Sequence, residues 1–141
     1  GSAGAAMNAY EAAVLPASKV LSSHDFSGTT HASATTTLVL ELPSLSGSGD
    51  VLPGAKDYVA FYASSTELYR VVEADANSAR VSGVRKLSAT LQTLSFAYDD
   101  ADVTKATSVA ADIQTQAQFK EHTVRSRLSL QIYLRNAQPV P

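Results

Sequence analysis

The chain reads as an α+β domain, with an N-terminal helix packed on an antiparallel β-sheet. Three observations predict this. Asn8–Ser22 is rich in alanine and aliphatic residues and nearly free of charge, a helix-forming composition. Several later runs alternate apolar and polar residues with a period of two, as half-buried strands do. Two of these runs, Tyr58–Ala63 and Glu67–Ala74, are joined only by Ser64–Thr66, a link short enough to enforce antiparallel pairing.

The elements follow in order. Gly1–Ala6 reads as an expression scar, and residues 1–7 are set apart from a single domain over 8–141. Asn8 is a fair N-cap for helix 8–22, with Glu11 three residues on. Pro16 falls inside that helix and predicts a bend or two shorter pieces. Ser27–Thr35 is small and polar, hence a loop. The β-rich part spans 36–136. In Thr36–Leu42, Leu38, Leu40 and Leu42 share one face, and Pro43 is expected to end the strand. Ser44–Gly54 carries turn chemistry. Asp75–Arg80 reads as a loop, and Val81–Leu91 has room for a short strand. Thr93–Tyr98 places Leu94, Phe96 and Tyr98 on one face, and Asp99–Lys105 is an acidic turn. Ser108–Gln116 and Thr123–Leu134 form a second antiparallel pair. In the last strand Val124, Leu128, Leu130, Ile132 and Leu134 share one parity, whereas Arg125, Arg127, Ser129, Gln131 and Tyr133 share the other. One face therefore packs and the other meets solvent.

Composition narrows the function. The length of 141 residues suits one domain with a real core. Charged residues make up 17%, below the usual quarter. The abundance of Ser, Thr and Ala tilts toward an extracellular β-rich protein. Net charge is −2, from 11 basic and 13 acidic residues, which argues against strong nucleic-acid binding. A local basic patch from Arg80, Arg85 and Lys86 is the exception to look for. With no cysteine, disulfides and thiolate metal sites are excluded.

No catalytic or cofactor signature stands out. Of the three histidines, His24, His31 and His122, the first two lie seven apart without acidic or thiol partners at zinc-site spacing, so they read as solvated loop histidines. Ser46–Gly49 lacks the strand-to-helix setting of a nucleophile elbow. Asp99, Asp100 and Asp102 have the residue type of a calcium loop. The closing glutamate of an EF-hand is missing, and a solvated acidic turn is the reading adopted. Tyr58, Phe61, Tyr62, Tyr69, Phe96 and Tyr98 read as cross-strand or core aromatics rather than a ligand platform. Catalytic, cofactor-binding and metal-binding residues are thus all expected to be none, and no enzyme is expected.

One resemblance carries a further expectation. Asp-Tyr-Val-x-Phe-Tyr from Asp57, Leu-Tyr-Arg from Leu68, Ser-Ala-Arg from Ser78, Leu-x-Phe-x-Tyr from Leu94 and the terminal Leu-Arg-Asn from Leu134 span roughly Thr36 to Asn136. Their order resembles type IV pilin-like proteins, minor pilins and type II secretion pseudopilins. The resemblance implies a structural subunit of a type IV pilus or type II secretion-like filament. Its partners would be other pilin or pseudopilin subunits. Its location would be extracytoplasmic, in the periplasm or at the cell surface, with membrane anchoring before assembly through an N-terminal helix missing from this sequence. No run of about 18 apolar residues occurs in the chain. The alternative expectation is a stand-alone extracellular β-rich domain that binds carbohydrate or protein.

Overall fold

The computed structural model describes residues 18–134. Ten strands follow in chain order: β1 (Lys19–Val20), β2 (Ser23–Phe26), β3 (Thr29–Ala32), β4 (Thr37–Leu45), β5 (Val51–Ser64), β6 (Glu67–Glu73), β7 (Gly83–Ser88), β8 (Leu91–Tyr98), β9 (Ser108–Phe119) and β10 (His122–Tyr133). A single 3-10 turn, Val103–Lys105, interrupts them. Every strand pairing is antiparallel.

These strands build a sandwich, with the order β1-β4-β5-β6-β7 in one sheet and β10-β9-β8 in the other. The core between them follows the pleat. Leu38, Leu40 and Leu42 of β4, Val59 and Phe61 of β5, and Leu68 and Val72 of β6 point inward from the larger sheet. Leu94, Phe96, Val109, Ala111, Ile113, Leu130 and Ile132 meet them from the smaller one. Alternate side chains of a strand share a face, so one register fixes the whole set. Edge contacts join the layers: the Tyr98 hydroxyl donates to the carbonyls of Ala34 and Thr37 at 3.0 and 2.8 Å.

The α+β expectation is overturned. The described residues contain no α-helix. The predicted helix 8–22 falls partly outside them, at Asn8–Ala17. Its last residues are extended, with Lys19 and Val20 paired to Glu41 and Leu40 of β4. The physical reason is tertiary. Val20 is β-branched, fits a pleated surface, and is completely buried against the core. Local alanine content does not outweigh that burial.

The expected loop Ser27–Thr35 also corrects to structure. Ser27 and Gly28 have φ of 56° and 100°, the left-handed pair of a two-residue hairpin turn, and the Gly28 N–H donates to Asp25 Oδ1. The resulting β2–β3 hairpin lies on the outer face of the larger sheet. There Phe26 packs with Val39, Ala60 and Val71 as a second small core. This explains why Val39, on the face opposite Leu38 and Leu40, is fully buried too. Pro43 does not end β4. The strand continues to Leu45 through a register shift between Pro43 and Leu45, the sort of irregularity at which a sheet accepts proline. The hairpin of β5 and β6, the strand over 93–98 and the pair over 108–134 lie where the alternation placed them.

Candidate interaction surface

The three-stranded sheet supplies the most distinctive exposed surface. β9 and β10 pair without a break from Ser108 and Tyr133 to Phe119 and His122. Their first halves cover the core through Val109, Ala111, Ile113, Leu130 and Ile132. Their second halves run beyond it as a two-stranded arm. Lys120, at φ 55°, helps turn the chain at the tip. On the core-facing parity the arm carries Thr115, Ala117 and Phe119 opposite Ser126, Val124 and His122. Phe119 is 62% exposed and Val124 48%, so the apolar stripe continues past the sandwich and is uncovered.

The opposite face of the same strands is polar. Gln114 and Gln116 of β9 stand across from Arg127 and Arg125 of β10, and Thr93 of β8 pairs with Gln114. The Arg127 guanidinium grips Asp112 with two parallel bonds, Nε to Oδ1 at 3.0 Å and a terminal nitrogen to Oδ2 at 3.1 Å. Arg125 donates through Nε to Gln116 Oε1 at 3.0 Å. An open groove of about 390 Å³ follows this face between Gln92 and Arg127.

The sheet edges differ in how well they are protected. β1 is two residues long. β7 is six residues long and carries the adjacent cations Arg85 and Lys86, a charged edge that discourages pairing. β8 is irregular between Leu91 and Thr93, and its Leu91 and Phe96 N–H groups donate to the carbonyls of Thr66 and Thr35. β10 is neither short nor covered, and its two exposed cations, Arg125 and Arg127, lie only in its outer half. Its only strand partner among the described residues is β9, and it runs for 12 residues without proline or register shift. Half the backbone polar groups of such a strand face outward and unpaired.

The residues singled out in the sequence take other roles. Arg80, Arg85 and Lys86 do not form a basic patch. The Arg80 side chain is 8% exposed and pairs with Asp57 at 2.7 Å, Lys86 pairs with Glu67 at 2.9 Å, and only Arg85 remains an open cation of the three. Burial lowers the Arg80 guanidinium to about 10, so it stays charged at neutral pH. Around Asp57, completely buried, converge the hydroxyls of Ser44 and Ser78, the N–H of Asp75 and the Arg80 guanidinium. Arg80 also donates to the Pro43 carbonyl.

The acidic turn organises itself. Asp99 holds the Thr107 N–H and hydroxyl, and those bonds keep its carboxyl below the usual range. Asp100 accepts from the Asp102 N–H, and Asp102 caps Thr104. No group of three metal-ligating side chains occurs among the described residues. His24 stacks on Tyr58 at 3.9 Å and reaches Glu73 at 3.3 Å. His31 stacks on Tyr62 at 4.2 Å, which in turn stacks on Tyr69. Both histidines anchor the β2–β3 hairpin rather than lie in solvent. Phe61 and Phe96 are core residues. His122 sits exposed at the arm. Ser46–Gly49 forms a hydrogen-bonded turn closed by Asp50. The groove had one visible signal in the sequence, the alternating glutamines of Gln-Thr-Gln-Ala-Gln at 114–118 facing an arginine parity in the last strand.

No protein family, curated protein or solved structure matches the chain. Together with a fold of antiparallel sheets in place of a helix laid on one sheet, this overturns the resemblance to pilin-like proteins. Those motifs that lie within residues 18–134 are strand and turn sequences that a β-sandwich uses for its own pairing. Among the described residues no helix is long and apolar enough to cross a membrane.

Proposed function

We propose that the chain is a non-catalytic assembly subunit of an extracytoplasmic structure, and that it joins a second copy of itself along β10. The carrying observation is the long, regular and uncovered edge of that strand, beside three edges that are short, irregular or covered. Antiparallel pairing of β10 with its counterpart joins two three-stranded sheets into one.

A two-fold axis through Ser129 suits the sequence. It places Arg127 opposite Gln131 of the partner subunit and Arg125 opposite Tyr133 of the partner subunit, so no like charges face each other. Tyr133, 71% exposed in the single chain, gains a cationic neighbour of the type aromatic faces attract. Val124 comes beside Leu134 of the partner subunit, which covers part of the arm's apolar stripe. The contact is isologous and self-complementary, and one strand pair buries little area, so the association is weak. The extracytoplasmic part of the reading is supported by the low charge and the Ser- and Thr-rich composition. Strong nucleic-acid binding is not part of the proposal, because the net charge is −2 and Arg80, Lys86 and Arg127 are paired with carboxylates.

The chain has no cysteine of its own, which makes the test clean. Residues facing each other across an antiparallel pair have Cα atoms about 4.5–5.5 Å apart, within disulfide reach. Ser129→Cys is expected to give disulfide-linked dimers under mild oxidation, and Ser95→Cys, on β8 at the other edge of the same sheet, is expected to stay monomeric. Equal cross-linking of both, or of neither, contradicts the proposed axis.

A further inference from the structure

We propose that the polar groove on the outer face of β8, β9 and β10 binds an acidic oligosaccharide, with Arg125 as the residue that reads its carboxylate. This rests on the chemistry of the groove in the single chain; in the proposed dimer Tyr133 of the partner subunit would stand beside Arg125 at the groove's margin.

Two arginines border the groove, and they are not equivalent. Arg127 is neutralised by its two-pronged bond to Asp112, so it serves as a fixed strut. Among the described residues Arg125 forms no ion pair. Its Nε is spent on Gln116, a neutral amide, which orients the guanidinium and leaves its charge uncompensated. The remaining N–H donors of an arginine form a planar fork that matches a carboxylate. Beside it stand Gln92, Thr93 and Gln114, with Gln116 keeping its amide donors. Amides and hydroxyls both donate and accept, which is what sugar hydroxyls require.

The class of ligand follows by chemistry. The walls are amides, hydroxyls and guanidinium groups, so the groove offers no seat for an acyl chain or for an apolar peptide side chain. Its volume of about 390 Å³ lies in the small-ligand range, and it is partly open to solvent, so a sugar unit can enter from outside. A single open cation asks for isolated carboxylates spaced along a hydroxyl-rich polymer rather than for the continuous charge of a nucleic acid.

The experiment is an NMR and calorimetric titration of the whole chain with four probes: a uronic-acid oligosaccharide, a neutral oligosaccharide of the same length, a sulfated one, and a single-stranded oligonucleotide. The expected result is binding of the uronate probe, with shifts at Thr93, Gln114 and Gln116, and weaker or no binding of the others. Arg125→Gln is expected to weaken uronate binding roughly tenfold or more, and Arg125→Lys to restore it only in part. Equal binding of the neutral probe, preference for the sulfated or nucleotide probe, indifference to Arg125→Gln, or no binding of the uronate each overturns the proposal. All of these residues are on the solvent face, so a normal thermal unfolding curve for each variant separates lost binding from lost folding.

Discussion

Asp57 and Arg80 show how a charged pair works as a structural fastener. Four donors from two segments, β4 and the 75–80 loop, meet on one buried carboxylate, and Arg80 also ties that loop to β4 through the Pro43 carbonyl. Breaking one side of such a pair leaves an uncompensated charge in a dry site, which is worse than having no pair at all. Arg80→Ala is therefore expected to destabilise the fold by about 3–5 kcal/mol, read from the shift in a urea unfolding curve. Arg85→Ala, a few residues away on an exposed position, is expected to change it by about 0.5 kcal/mol or less. Equal effects would show that Arg80 is a surface cation. In the sequence Arg80 looked like part of a basic cluster. Sequence proximity grouped it with Arg85 and Lys86, whereas its carboxylate lies 23 positions away and is brought to it only by the turn after β6.

At the scale of elements, strands were legible and their absence of helical company was not. Alternation located β6, β8, β9 and β10, because each has one wet face and one dry face. β2 and β3 escaped notice because their sequence, Ser-His-Asp-Phe and Thr-Thr-His-Ala, holds few aliphatics. Their apolar contact is made with ring faces: His24 on Tyr58 and His31 on Tyr62, with Phe26 between them. This arrangement gives the hairpin a pH dependence. Burial lowers the His31 pKa from 6.5, so the folded state favours the neutral ring. The stability tied to His31 is present above 6.5 and is lost as pH falls through the folded value, since the unfolded chain takes up the proton first. Lowering pH from about 7.5 to about 5.5 is expected to reduce the unfolding midpoint. His31→Phe, which keeps a stacked ring and removes the titration, is expected to reduce it less. An equal loss in the variant would assign the acid sensitivity elsewhere. The helix expected over 8–22 went wrong at its described end for a related reason. Propensity acts within a segment, whereas Val20 is held by a hydrogen-bonded neighbour and a core that the segment itself does not reveal.

On the scale of the whole molecule, a protected sheet and an unprotected one share a single core. The larger sheet spends its outer face on the β2–β3 hairpin, and its edge strands are short or charged. The smaller sheet keeps its outer face polar and its long β10 edge open. That asymmetry was only half visible beforehand. The parity of Arg125, Arg127, Ser129, Gln131 and Tyr133 marked a solvent face, but which strand sits at an edge depends on sheet order, and sheet order is a long-range property. Sedimentation velocity over a wide concentration range tests the proposed self-association most directly. Ser129 is exposed and faces its own copy across the proposed axis, so Ser129→Lys brings two ammonium groups together there without touching the core. The wild-type chain is expected to shift from monomer toward dimer as concentration rises, and Ser129→Lys to remain monomeric with an unchanged unfolding midpoint. A wild-type chain that stays monomeric throughout, or a Ser129→Lys variant that dimerises as well as the wild type, contradicts the account.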